Sequence, residues 1–347
     1  MEDNKKIMKK EYFIIGLIIV ALSAYLVTNK TNRDNYTLPS IPEIDVANIT
    51  EISLQKGENE KDAKHKDGKI VISKKDGAWL VTGAAGDKNY PADQESITKM
   101  VDIIKALKLS ALVSESGNLA PYELDAKNRI GVTVKSSTET LRKFEIGKTA
   151  PSFRHTFVKL DGSNSVYHAE KSFRQDFGKT VDELRDRKVL TFDKNKISSI
   201  TLKKGDKVQE FAIKDGKPVE TIEKKPVDKK DDKTVQNKPK PADNNRNEAV
   251  EKIISTLSDL KCSGFTDTDS KDEFKGKGIE EIARITLKGN NEKSLVIYKK
   301  DAKENYPALS SGTIYPFMLD TYQGNELVSG IDNAMGIKTE SKAPESK

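Results

Sequence analysis

The stretch ITEISLQKG (residues 49–57) recurs as ISSITLKKG (residues 197–205) and decides the fold. In both copies apolar residues alternate with polar ones, as Ile52 and Leu54 do in the first copy. This alternation is typical of a strand that is buried on one face. The repeat period of about 150 residues is far longer than that of solenoid proteins. The sequence therefore predicts two homologous domains rather than a stacked array.

Five further matches keep the same order along the two copies. They are a charged turn, a Pro-Ala-Asp tripeptide, a set of apolar residues at helical spacing and two later pairs of residues. The matches are Lys75-Asp76-Gly77 with Lys214-Asp215-Gly216, Pro91-Ala92-Asp93 with Pro241-Ala242-Asp243, Ile103, Ile104 and Leu107 with Ile253, Ile254 and Leu257, Arg129-Ile130 with Arg284-Ile285, and Gly162 and Tyr167 with Gly312 and Tyr315. Matches in one order are hard to assign to chance, so we interpret the chain as an internal duplication.

Each copy predicts a sheet with one packed helix, which is an α+β fold. Asp76 and Gly77 lie between apolar runs at residues 70–73 and 79–82, a pattern typical of a tight hairpin. Asp93 suits a helix N-cap, and the apolar residues behind it recur at helical spacing. Further strands are expected at residues 130–134, 141–146, 285–287 and 295–298, and a further hairpin at residues 157–167 with Asp161-Gly162 at its turn.

Composition divides the chain into segments. We expect a cytoplasmic stub with a transmembrane anchor (1–30), a linker (31–44), a first α+β unit (45–171), a helical connection (172–192), a second α+β unit (193–337) and a disordered tail (338–347). Residues 220–247 are rich in Lys, Asp, Pro and Asn and have almost no apolar side chains. They predict a disordered insert that replaces the strand of Trp79 in the second unit.

Lysines precede an apolar run near the start of the sequence. Lys5, Lys6, Lys9 and Lys10 come before an uncharged run from Tyr12 onward. The run has about seventeen residues, which is the lower limit for a membrane-spanning helix. Lysines favour the cytoplasmic side, so we expect a single span in the bacterial inner membrane. The N-terminus would then be cytoplasmic and the bulk of the chain periplasmic.

A cleaved signal peptide is the alternative for this segment. Ala21-Leu22-Ser23 is a passable cleavage site, but Tyr25 and Leu26 continue the apolar run beyond it, which favours a retained anchor. The single cysteine, Cys262, does not follow the segment, so no lipid anchor is expected there. One cysteine also excludes disulfides within the chain and Cys-rich metal sites.

The charge pattern argues against nucleic-acid binding. Charged residues make up 33% of the chain, with 60 Lys and Arg against 54 Asp and Glu, so the net charge is only +6. The two signs are interspersed, whereas a nucleic-acid interface more often has a basic stripe with aromatic residues between the charges. We therefore expect no nucleic-acid partner.

Several motifs together resemble a known family. They are the N-terminal apolar segment, Asp76-Gly77-x-Trp79, Pro91-Ala92-Asp93, Tyr122-Glu-Leu-Asp125 and the run Leu184-Arg185-Asp186-Arg187-Lys188-Val189-Leu190. The combination resembles the bacterial membrane-anchored proteins grouped as domain of unknown function 4340, over roughly residues 45–335. The resemblance implies an association with ABC-type transport systems of the gliding-motility auxiliary kind. It carries over no catalytic residue.

Two of these motifs are interpreted as structural. Arg185, Asp186 and Arg187 either contact a partner or fix the connection by pairing with backbone or with each other. We favour the second interpretation because Leu184 and Leu190 flank them as buried anchors would. Trp79 alternates with Val81 on its strand, so we expect a core side chain beside the Asp76-Gly77 turn rather than a ligand platform.

Catalytic and metal-binding patterns do not occur in the sequence. Neither a Gly-x-Ser-x-Gly elbow, nor a His-Glu-x-x-His pair, nor a phosphate loop is present. His65 lies in a charged loop, and His155 and His168 flank the hairpin at residues 157–167. A metal site would need a third ligand there, and Asp161 lies in the turn. We expect no cofactor and no metal.

The sequence leaves three functions open. The favoured one is a non-enzymatic accessory protein that binds or supports other membrane or envelope proteins of an ABC-type system. The second is an envelope hydrolase with an unrecognised site, for example one joining His155 and His168 to a carboxylate. The third is a binder of a small ligand in the cleft between the two units.

Overall fold

Short strands, many of which alternate buried and more exposed residues, occur along much of the described chain. The computed structural model describes residues 3–30, 37–60, 68–83, 88–215, 217–223 and 244–337. The strands are β1 Glu51–Lys56, β2 Lys69–Lys75, β3 Ala78–Thr82, β4 Tyr90–Pro91, β5 Leu109–Ser114, β6 Ile130–Lys135, β7 Thr140–Thr149, β8 Thr156–Leu160, β9 Val166–Ala169, β10 Lys188–Thr191, β11 Ile197–Lys204, β12 Lys207–Lys214, β13 Lys217–Glu223, β14 Asp259–Lys261, β15 Gly264–Phe265, β16 Glu281–Gly289, β17 Lys293–Tyr298, β18 Tyr306–Ser310 and β19 Phe317–Leu319.

The helices are fewer than the strands, and the predicted α+β class is confirmed. They are α1 Asp3–Lys30, α2 Gln94–Lys105, α3 Arg174–Phe177, α4 Val181–Leu184, α5 Asn244–Leu257, α6 Lys271–Gly276 and α7 Thr321–Met335. The chain divides into unit 1, residues 1–69 and 99–178, and unit 2, residues 70–98 and 179–347. This division differs from the predicted domains because residues 70–98 belong to unit 2.

Unit 1 contains six antiparallel strands in the order β1-β6-β7-β8-β9-β5. Ile52 and Leu54 of β1 lie opposite Val134 and Val132 of β6, and all four side chains are buried. Phe144 of β7 continues the same buried row. The alternation in the first quoted stretch therefore places one face of the sheet in a core, as predicted.

Unit 2 contains a larger sheet in the order β13-β12-β11-β16-β17-β18-β19-β15. Its core combines strand residues such as Ile200 and Ile285 with Ile254 of α5 and Ile331 of α7. The six strands from β11 to β15 repeat the order found in unit 1, which is what a duplicated unit predicts. Unit 2 also holds the β2-β3-β4 ladder and the β10-β14 pair.

The helical connection predicted at residues 172–192 is wrong in most of its length. Two single-turn helices, α3 and α4, are present, and the segment then continues as strand β10. The side chain of Thr180 caps Glu183 and starts α4, whereas Arg185 is already extended. The capping box thus starts a helix that ends after one turn, and Val189 and Leu190 become core residues of a strand.

The disordered insert predicted at residues 220–247 is wrong at both ends. Strand β13 continues to Glu223, and α5 begins at Asn244. Strand β13 pairs with β12 after the turn at Asp215, just as the strand of Trp79 pairs with β2 after the turn at Asp76. The second unit therefore has a counterpart of the Trp79 strand, and the prediction that an insert replaces this strand is wrong. Residues 224–243, the matches at Gly216 and Pro241-Ala242-Asp243, and the tail 338–347 lie outside the described residues.

The apolar N-terminal segment forms helix α1, in which the side chains of residues 12–26 are exposed. Among the residues that the structure describes, no helix is both long and apolar enough to cross a membrane. The membrane span expected from the sequence remains a prediction. Of the predicted linker, residues 31–36 lie outside the described residues, and residues 37–44 contain neither helix nor strand.

Candidate functional site

The run at residues 184–187 is held in unit 2 by its backbone. The N–H of Asp93 donates to the carbonyl of Leu184 at 2.8 Å, and the N–H of Asp186 donates to the carbonyl of Pro91 at 2.8 Å. Arg185 forms an antiparallel bridge with Ala92 between these two bonds. Two of the motifs found in the sequence, Pro-Ala-Asp and Leu-Arg-Asp-Arg, are therefore paired like strands.

The side chain of Arg185 is enclosed by three aromatic rings, which together form the Arg185 cluster. Its guanidinium carbon lies 3.9 Å from the ring centre of Tyr90, 3.4 Å from that of Phe265 and 4.7 Å from that of Tyr315. Nη1 donates to Asp182 Oδ1 at 3.2 Å, and only 5% of the side chain is exposed. Nη2 is buried and has no hydrogen-bond partner within the described protein.

The rings of the Arg185 cluster also contact one another. Tyr90 and Tyr315 meet edge to face at 5.3 Å, and Phe265 and Tyr315 do so at 6.4 Å. The hydroxyl of Tyr90 donates to Asp269 at 3.0 Å. Burial, followed by this hydrogen bond to a carboxylate, raises the pKa of Tyr90 to about 12. The cluster is thus a packed, charge-bearing part of the core.

Asp186 and Arg187 lie at the surface side of the same run. Asp186 Oδ1 accepts the backbone N–H of Lys188 at 3.0 Å, so its contact is local. The carbonyl of Arg187 accepts the N–H of Cys262 at 2.9 Å. Burial raises the pKa of the Cys262 thiol to about 11. The side chain of Arg187 is half-buried, but its Nε is fully buried and has no partner within the described protein.

A cavity of about 390 Å³ opens beside this run, within unit 2. This volume suits a small ligand. The lining includes the start of helix α2, four acidic side chains and the four basic side chains of Arg185, Arg187, Lys188 and Lys261.

Asp76, Gly77 and Trp79 belong to the β2-β3 hairpin as predicted. Asp76 and Gly77 both have positive φ, 51° and 83°, which the tight turn requires. Trp79 is buried in β3. Its backbone N–H donates to Gln94 Oε1 at 3.3 Å, and Gln94 Nε2 donates back to the carbonyl of Trp79 at 3.2 Å. Gln94 therefore links this hairpin to the start of helix α2.

The two described histidines stack in unit 1. The ring centres of His155 and His168 lie 5.2 Å apart, at an angle of 19°. Burial and then the neighbouring His155 lower the pKa of His168. Asp161 pairs with Lys143 at 2.9 Å. In the described part of the chain, no three His, Cys, Asp or Glu residues are grouped as a metal site would need. His65 lies outside the described residues.

Strand β5 ends the sheet of unit 1 and pairs with β9 through two irregular steps. Its sequence LSALVS contains neither a charge nor a proline. Val113 packs against a small core that includes Phe157 and Val166, whereas the side chain of Ser110 is exposed. The strands at the ends of the unit 2 sheet differ, because β13 carries Lys217, Pro218 and glutamates and β15 has only 2 residues.

Neither strand β5 nor the rings around Arg185 were predicted from the sequence. The uncharged run at residues 109–114 is a local signal from which a strand could have been predicted. No local signal joins Arg185 to Tyr90, Phe265 and Tyr315, because these residues are far apart in the sequence.

The fold and the site define an α+β protein with two strand-rich units and an arginine-centred aromatic cluster in the second. The family described as Domain of unknown function (DUF4340) matches residues 79–277, which is more than half of the chain. The chain belongs to this family, and the resemblance inferred from its motifs is confirmed. No curated protein and no solved structure matches the chain.

Proposed function

We propose that this protein is a non-enzymatic binding component of a bacterial membrane complex. It is anchored in the inner membrane by α1, its bulk lies in the periplasm, and it holds another envelope protein of an ABC-type transport system. The observation that carries the binding role is the uncharged edge strand β5 in unit 1.

Edge strands are usually protected against pairing with other chains. Lysine, proline and very short length are common protections. Strand β13 has charges and a proline, and β15 is short, whereas β5 has 6 residues without a charge or a proline; its one protection is the irregular pairing with β9. An edge of this kind is where an extended segment of a partner adds a further strand.

The chemistry of β5 defines the partner segment. Four of its six residues, Leu109, Ala111, Leu112 and Val113, are apolar and the other two are serines, so the edge offers small and apolar side chains without charge. A complementary strand is extended, uncharged along about six residues and mostly apolar. We assign this segment to another envelope protein of the complex.

The anchoring part of the proposal rests on the N-terminal sequence. Lys5, Lys6, Lys9 and Lys10 precede the uncharged part of α1, and this order favours a cytoplasmic N-terminus. The assignment to a transport system rests on the family resemblance. A cysteine placed at residue 345 tests the orientation through its labelling by a membrane-impermeant thiol-reactive reagent in intact spheroplasts. Protection of this cysteine from the reagent contradicts the proposed orientation.

Co-purification from membranes in mild detergent tests the binding role. We expect the wild-type chain to recover its partner and Ser110→Lys to reduce that recovery at least about tenfold, because a lysine on an edge strand opposes pairing. Val219→Lys is the matched control, since Val219 is exposed on β13, which already carries charges. Equal recovery with both variants contradicts the role of β5.

A further inference from the structure

We propose that the cavity beside Arg187 in unit 2 is a binding site for the oxyanion of a small ligand, either a carboxylate or a phosphate. The site is distinct from strand β5, so it does not depend on the proposed function. Its basic side chains are those of Arg185, Arg187, Lys188 and Lys261.

Three cations of the lining have no acidic partner in the described part of the chain. The ion pairs there do not include Arg187, Lys188 or Lys261, although all three line one cavity. By contrast, Arg185 is neutralised by Asp182. Like charges that share a cavity repel each other, and an anion between them removes that repulsion.

The carboxylates that line the same cavity are mostly engaged elsewhere. Asp93 Oδ2 accepts the hydroxyl of Ser96 at 2.5 Å and caps helix α2. Glu183 Oε2 accepts the N–H of Thr180 at 2.7 Å within the capping box of α4. Asp186 Oδ1 accepts a backbone N–H, as described above. Glu95 also lines the cavity, at the first turn of α2. Three of the four acids therefore already accept local hydrogen bonds.

Two buried donor groups point to a ligand at this place. Arg187 Nε and Arg185 Nη2 are buried and have no hydrogen-bond partner within the described protein, and Arg185 is almost wholly buried. An unsatisfied buried N–H costs about 1–3 kcal/mol, so a native protein rarely keeps one without a reason. Both arginines line the cavity, where an oxygen atom of a ligand satisfies Arg187 Nε.

The start of helix α2 adds to the preference for an anion. Gln94 and Glu95 belong to its first turn and line the cavity. The N-terminus of a helix carries partial positive charge and unpaired N–H groups, which favour carboxylates and phosphates. A guanidinium fork next to an ammonium group is suited to the same two oxyanions.

Thermal unfolding of the full-length protein in mild detergent tests the proposal. Trp79 is the only tryptophan and lies in unit 2, so its fluorescence reports this unit. Sodium phosphate, sodium acetate and sodium chloride are titrated at equal ionic strength. We expect saturable stabilisation by phosphate or by acetate and none by chloride. Phosphate alone identifies a phosphate ligand, and acetate alone identifies a carboxylate ligand.

Variants separate the cavity from a general salt effect. Arg187→Gln and Lys261→Gln each raise the half-saturating concentration at least about tenfold, because each removes a charged hydrogen-bond donor. Lys277→Gln, an exposed lysine outside the cavity, leaves it unchanged. Lys261 is itself exposed, so its variant retains the fold. Equal effects of all three salts, or unchanged saturation in both cavity variants, overturn the proposal.

Discussion

Replacement of Arg185 by alanine is expected to destabilise unit 2 more than any single surface change. The guanidinium contacts three rings, and its centre lies within 4.7 Å of each ring centre. A cation–π contact in a desolvated place contributes about 1 kcal/mol or more. Three contacts therefore give about 3 kcal/mol, before any loss from the cavity left behind.

Urea unfolding followed by Trp79 fluorescence measures this loss, because Trp79 is buried in the same unit. With a denaturant slope of about 2 kcal/mol per M, a loss of about 3 kcal/mol lowers the midpoint by about 1.5 M. Arg185→Lys keeps the charge but loses the planar stacking, so we expect about half of that shift. Lys277→Ala, an exposed change in unit 2, is the control and should stay within about 0.5 kcal/mol of wild type.

If Arg185→Ala and Lys277→Ala unfold at the same urea concentration, the Arg185 cluster does not stabilise unit 2. A double-mutant cycle with Phe265→Leu sharpens the test, since Phe265 is the nearest ring. Residues in direct contact show coupling of about 0.5–3 kcal/mol. Additive effects of the two substitutions mean that the ring contact contributes nothing.

Three further predictions follow from burial and close packing. Because the folded-state pKa of Tyr90 is raised from 10.0 to about 12, its contribution to stability is complete below pH 10 and is lost as pH rises toward 12. The urea midpoint of Tyr90→Phe therefore falls less over this pH range than that of wild type. Cys262 is buried with its pKa raised to about 11, so iodoacetamide at pH 8 should label it only after unfolding; rapid labelling of the native protein contradicts its burial. A Cβ at Gly324 of α7 meets the ring of Tyr306, so Gly324→Ala lowers the free energy of unfolding by about 1–3 kcal/mol despite its better helix propensity. Gly276→Ala, with open space around its Cβ, should show no such loss.

Local patterns in the sequence were sufficient for strand β1 and for the turn of the β2-β3 hairpin. The alternation of Ile52 with Leu54 and the Asp76-Gly77 turn depend on neighbouring residues only, and both are present in the structure. The prediction of a helical connection at residues 172–192 was wrong for a tertiary reason. The capping box starts a helix of only one turn, and the following residues form strand β10 by pairing with β14. Tertiary pairing of this kind overrides local helix signals.

The sequence predicted only part of the candidate site. The run from Leu184 to Arg187 was recognised, and its interpretation as a structural connection agrees with the burial of Arg185. The rings that enclose Arg185 come from β4, β15 and the segment before β19, so no spacing in the sequence joins them. The edge position of β5 is equally a property of the whole sheet, because it depends on which strands pair.

Site-specific photocrosslinking in living cells is the most direct test of whether β5 holds a partner protein. A photoreactive residue at Ser110 samples the β5 edge, and one at Val219 on β13 is the matched control. We predict one discrete crosslinked envelope protein from position 110 and none from position 219. The same products from both positions, or no product from position 110, would contradict the claim.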